Sequence, residues 1–166
     1  HLALQDLVAQ DPSLQRANLL VAEAGGGTTR LLLIQDGYVT YSGSFRLGSL
    51  RMRETLGPYH TPASRLCALL DQNIQRTTDQ MRQSVPADQV PTLIALAGDS
   101  AAAMARLLPE WNVSQGLARL PVAAESLAEK IVSTPVDELM HSYQLPSQEA
   151  ETAGHTLLTY DRIARA

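Results

Sequence analysis

The chain has 166 residues, of which 45% are hydrophobic, 18% charged and 4% aromatic, and its formal net charge is −4. This balance suits one soluble domain with a core of Leu, Ala, Val and Ile. The acidic balance excludes nonspecific nucleic-acid binding, which needs a clustered basic surface, and the lone Trp111 and Phe45 give no platform for stacked bases.

In chain order, residues 2–10 read as a helix broken by Asp11-Pro12. Residues 18–24 form a strand whose unbroken apolar character implies burial on both faces, as at the centre of a sheet. Leu31 to Gln35 is a second strand, and Asp36-Gly37 predicts a tight hairpin into a third, Tyr38 to Leu47. Gly48 to Leu56 reads as a short helix stopped by Gly57-Pro58. Thr61-Pro62 opens a long one with apolar residues at Leu66, Leu69, Leu70, Ile74 and Met81. Cys67, the only cysteine, lies there as a small buried hydrophobe, and its solitude is compatible with a reducing compartment, the cytoplasm.

Thr92 to Ala97 is a short strand, followed by a second glycine turn, Gly98-Asp99-Ser100, and an alanine-rich helix to Leu108. That helix's N-terminus could hold an anion, unless Asp99 caps it instead. Three further helices follow, Glu125 to Val132, Val136 to Tyr143 and Gln148 to Arg165, with Pro135 and Pro146 at their starts. In the last of these Ala150, Ala153, Leu157, Leu158 and Ile163 form a buried stripe, with His155 and Asp161 toward solvent or a cleft. His60, His141 and His155 lack the spacing of a metal site, so no zinc site is expected. No stretch reaches the length of a membrane span and no signal-peptide pattern opens the chain.

The first strand runs into Gly25-Gly-Gly-Thr-Thr-Arg30, which reads as a phosphate-binding turn. Gly25, Gly26 and Gly27 can take positive φ and bring backbone N–H groups close to an oxyanion; Thr28 and Thr29 add hydroxyls and Arg30 a permanent charge. The plainer alternative is a hairpin turn, although such a turn needs only one or two residues with positive φ.

Leu20-Val-Ala-Glu-Ala-Gly-Gly-Gly-Thr-Thr-Arg30 resembles the second-domain phosphate loop of the exopolyphosphatase and guanosine pentaphosphate phosphatase family, within the sugar kinase, heat-shock 70 and actin superfamily. The family's loop reads Asp-Ile-Gly-Gly-Gly-Ser-Thr-Glu. Its later Leu-Pro-Leu-Gly-Ala-Val-Arg-Leu pattern stands here as Phe45-Arg-Leu-Gly-Ser-Leu-Arg-Met52, and its second glycine turn is matched loosely by Leu96-Ala-Gly-Asp-Ser100.

The resemblance implies an α/β, ribonuclease-H-like domain over residues 18–166, with three antiparallel strands extended by a parallel one, packed with helices and ending in a helical part. Residues 1–17 would be a helical lead-in, and the chain a piece of a longer protein whose first domain supplies the other cleft wall and the water-activating carboxylate. It further implies a cytoplasmic phosphoanhydride hydrolase acting on polyphosphate or a guanosine pentaphosphate-like molecule, with Mg²⁺. The implied partners are that substrate and the first domain, with neither nucleic acid nor membrane, and a homodimer is left open.

Under this resemblance Gly25, Gly26, Gly27, Thr28, Thr29, Arg30 and Arg51 would bind phosphate, with Gly98 and Ser100 at the second turn. Glu23 would hold Mg²⁺ or its water. Two departures bear on catalysis. Glu23 stands where the family has Asp, and Arg30 reverses the charge of the family's Glu. Arg51 could equally be a surface residue paired with Glu54. The rivals to a hydrolase are a noncatalytic sensor of the same fold, and a kinase-like nucleotide binder, whose base would need a second glycine that the Gly98 turn lacks.

Overall fold

The computed structural model describes residues 18–56, 63–86, 93–96, 99–108, 118–119 and 124–166. The expected helix at 2–10, residues 57–62 and Gly98 lie outside them. The strands are β1 (Leu19–Ala24), β2 (Thr29–Gln35), β3 (Tyr38–Phe45), β4 (Leu93–Leu96) and β5 (Ala118–Arg119). The helices are α1 (Ser49–Leu56), α2 (Ala63–Ser84), α3 (Asp99–Leu107), α4 (Ala124–Ser133), α5 (Val136–Tyr143) and α6 (Ser147–Arg165).

The strands form one sheet in the order β3-β2-β1-β4-β5. β1 is antiparallel to β2 and parallel to β4, so the expected three antiparallel strands extended by a parallel one are present. The two-residue β5, antiparallel to β4, is an addition too short to leave a pattern in the sequence. The central place of β1 explains its unbroken apolar run: Leu20, Ala22 and Ala24 face the main core, and Leu19 and Val21 are buried as well.

β3, by contrast, alternates: Tyr38, Thr40, Ser42 and Ser44 are exposed while Val39, Tyr41, Gly43 and Phe45 are half-buried. The β2–β3 turn holds Asp36 at φ 49° and Gly37 at φ 80°. Positive φ at both central residues is what a type I′ hairpin demands.

The last helix organises the rest. α6 packs on each of the other five helices and on β1, and the predicted stripe of Ala150, Ala153, Leu157, Leu158 and Ile163 is buried. Its central position also corrects one expectation. His155 faces a cavity, the cleft alternative, but Asp161 faces neither solvent nor a cleft: it is 2% exposed and lies between Arg162 (2.9 Å) and Arg165 (2.8 Å), while Arg162 Nε reaches Asp71 on α2 at 2.5 Å. Pro135 and Pro146 sit at the N-cap positions of α5 and α6 with φ of −56° and −58°, just before the first helical residue.

Tyr160, fully buried on α6, ties the helix to the sheet: its hydroxyl oxygen accepts a hydrogen bond from the Ala24 N–H at 3.1 Å. Tyr160→Phe is expected to lower the unfolding free energy by about 1–2 kcal/mol, read as a lower urea midpoint at unchanged slope.

Candidate functional site

The four residues between β1 and β2 do not close as an ordinary turn. The Gly25 N–H donates to the Thr28 carbonyl at 2.9 Å, but the Gly25 carbonyl accepts from the Ser49 N–H at 3.2 Å and the Gly26 carbonyl from the Arg51 N–H at 3.0 Å. In a closed β-turn the Thr28 N–H would return to the Gly25 oxygen. Here the first turn of α1, whose amides have no intrahelical acceptor, faces both carbonyls. The N–H groups of Gly26, Gly27 and Thr28 have no acceptor among the described residues, and Gly25 to Thr28 are exposed. The positive end of the α1 dipole lies behind them.

The glycines achieve this differently from the expectation. Among the described residues only Asp36, Gly37 and Gln144 have positive φ, so Gly25, Gly26 and Gly27 do not use the left-handed region. The position that demands glycine is Gly48, just before α1: a Cβ there would lie 2.5 Å from the carbonyl carbons of Gly26 and Gly27. The absence of that carbon lets the helix start press against the loop.

The two threonines divide. Thr28 is exposed at the loop's tip. Thr29 is fully buried, and its hydroxyl donates to the Leu47 carbonyl at 2.7 Å. The expected phosphate-binding role of the Thr29 hydroxyl is thereby corrected: it fastens the loop to the segment before α1. Arg30 faces Glu23 across the β1–β2 ladder, and its Nη1 lies 3.2 Å from Glu23 Oε2. The two departures from the family pattern are thus a cross-strand ion pair. At 52% and 43% side-chain exposure such a pair contributes little to stability.

Two cavities flank the loop. One of about 360 Å³ is bounded by Glu23, Gly25, Gly26 and Leu50 and, from α6, by Glu149 and Thr152. The other, also about 360 Å³, is bounded by Gly26, Gly27, Leu50, Arg51 and Glu54. Arg51 therefore stands at the loop, where its backbone also holds Gly26. Gly98 lies outside the described residues, and Ser100 is in the first turn of α3 with its side chain not described.

The residues that sequence reasoning missed are Tyr160, Gly48 and Glu149. Gly48 was visible inside the Phe45 to Met52 motif, while Tyr160 and Glu149 reach the loop only through the placement of α6. Among the described residues no group of three or more His, Cys, Asp and Glu side chains could hold a metal ion, and no helix is long and apolar enough to cross a membrane.

Comparison with known proteins places this geometry in a fold. No protein-family model matches the chain, and no curated protein matches it. Solved structures do. An exopolyphosphatase-like protein is 21% identical with a TM-score of 0.75, covering 90% of this chain and 50% of its own. A Ppx/GppA family member from Aquifex aeolicus is 12% identical with a TM-score of 0.75, covering 98% and 53%. An exopolyphosphatase from Cytophaga hutchinsonii is 12% identical with a TM-score of 0.70, covering 99% and 56%. The chain has the α/β fold of these Ppx/GppA structures and spans about half their length.

Two outcomes follow from the site. Gly48→Ala is expected to push the start of α1 off the loop and to cost about 1–3 kcal/mol of stability, measured by thermal and urea unfolding. The second concerns His155, buried against Arg53: desolvation first, and the Arg53 charge second, push its pKa down from 6.5 to about 4. The unfolded chain then takes up a proton between pH 6.5 and 4 while the folded chain does not. Stability is therefore unaffected by this group above pH 6.5 and falls with pH through that window, by on the order of 2–3 kcal/mol at pH 4. His155→Leu should show a shallower loss over the same range in pH-dependent urea titrations.

Proposed function

We propose that the chain is the second, phosphate-chain-binding domain of an exopolyphosphatase or guanosine pentaphosphate phosphatase-like hydrolase of phosphoanhydrides. One observation carries this reading: the exposed N–H groups of Gly26, Gly27 and Thr28, which have no acceptor among the described residues while α1 holds the carbonyls of Gly25 and Gly26. Consecutive exposed backbone amides without protein acceptors are suited to an anion. Arg51 beside Gly27 and Arg30 on β2 supply charge. The phosphate chain runs from the loop toward Arg51 rather than into the other cavity, where the Glu23 and Glu149 carboxylates would oppose it.

Mg²⁺ belongs to the expectation, and here the residues fit it poorly. Glu23 is the one carboxylate beside the loop that the resemblance assigns to it, and the Arg30 guanidinium already occupies that carboxylate. A cation at that distance repels a second one. No step is therefore derived through a metal held by this chain alone, and hydrolysis needs the first domain to supply the rest of the cleft. The same ion pair favours a second reading, a noncatalytic sensor that keeps the cradle and has lost the metal position.

Calorimetric titration with tripolyphosphate tests binding. Gly26→Val sets a branched side chain against Leu50, whose Cβ would be 3.3 Å from the new Cβ, and should weaken binding about tenfold or more. Glu23→Gln, which frees Arg30 and removes a repelling charge, should tighten it. Equal affinity in wild type and a folded Gly26→Val variant would overturn the loop as the anion site. Phosphate release from polyphosphate or guanosine pentaphosphate by the longer protein containing the first domain, with and without Mg²⁺, separates the two readings: release sinks the sensor, and its absence sinks the hydrolase.

A further inference from the structure

The face of α6 opposite the glycine loop lines a separate cavity of about 340 Å³, between α1, α4, α5 and α6. The helical period separates the two faces: Gln148, Thr152 and Thr156 turn to the loop cavity, and Glu151, Gly154 and His155 to this one. Its volume is within the range of small-molecule sites. Three features say what it would take.

The first is His155, which lines the cavity, is only 9% exposed, and has no hydrogen-bond partner for its ring among the described residues. A buried imidazole without a partner carries a desolvation cost that a ligand can relieve. The second is a pair of opposite charges on the rim: Arg53 from α1 and Glu151 from α6 form an ion pair with side chains 39% and 34% exposed. Such a pair is held loosely enough to exchange partners. The third is the wall, where Ile131, Val136, Leu139 and Ala150 give aliphatic surface.

We propose that this cavity binds a free aliphatic α-amino acid. The α-carboxylate takes the Arg53 guanidinium, whose fork suits two oxygens. The α-ammonium takes Glu151, and the branched side chain lies on Ile131, Val136 and Leu139. The His155 ring, neutral, completes the polar end by donating to the carboxylate or accepting from the ammonium. Because the rim offers both charges in contact, a ligand with one charge leaves the other unanswered: a fatty acid would face Glu151, and an alkylamine would face Arg53.

The test follows the ring Cε1–H resonance of His155, assigned by its loss in His155→Gln, while L-leucine is added to the full chain. A saturable shift is expected, with isovalerate and isopentylamine, which each keep one of the two charges, binding about tenfold more weakly or worse. Arg53→Met and Glu151→Gln should each weaken leucine binding by a similar factor without moving the melting temperature. A His155 resonance unmoved by leucine, isoleucine and valine at millimolar concentrations would overturn the proposal, as would isovalerate binding as tightly as leucine. The analogue comparison uses wild-type protein, so it decides the matter even if a variant fails to fold.

Discussion

The carbonyl oxygens of Gly25 and Gly26 accept hydrogen bonds from the first amides of α1, and the arrangement of the loop follows from that exchange. A four-residue connection between antiparallel strands would otherwise satisfy its own polar groups across the turn. Once the carbonyls of Gly25 and Gly26 face the helix, the amides of Gly26 and Gly27 in the same peptide units point away from it, and helix and loop each supply what the other lacks. The exchange requires two backbones in contact. That is why the steric demand for glycine falls on Gly48 rather than on the three consecutive glycines, and why the Thr29 hydroxyl is committed to Leu47.

Around this cradle the charges are arranged in opposition. Glu23 and Arg30 meet across the ladder, so the carboxylate and the cation each reduce the local field that the other would exert alone. The amides of the loop are fixed by hydrogen bonds that ordinary side-chain motion does not break, whereas the ion pair is half-exposed and contributes little. The anion recognition proposed for the loop would therefore rest on the rigid part of the site. Any metal chemistry would rest on its exchangeable part.

Much of the fold was legible because it is written in local periodicity. The apolar run of β1 marked a central strand, Asp36-Gly37 marked a type I′ turn, and each proline before a late helix marked a boundary. What was not legible depends on contacts distant in sequence. Three glycines in a row suggested positive φ, yet the loop uses none, because its shape comes from α1 and not from the loop's own preferences. Thr28 and Thr29 are adjacent hydroxyls, and only the register of β2 decides which turns inward. Asp161 occupied a polar position on a helix read as amphipathic, but a helix packed on five others has no solvent face at its middle.

That packing makes α6 the element through which the distant parts of the domain meet. Tyr160 fixes the end of β1 immediately before the loop, Glu149 and Thr152 line the cavity at the loop's side, and Glu151 pairs with Arg53 on the same α1 that holds the loop's carbonyls. A shift of α6 would therefore be felt at the loop by two routes, one through the sheet and one through α1. A rigid core transmits such strain rather than absorbing it. The geometry of the loop's exposed amides is for this reason a property of the helical half of the chain as much as of the glycine-rich segment that displays them.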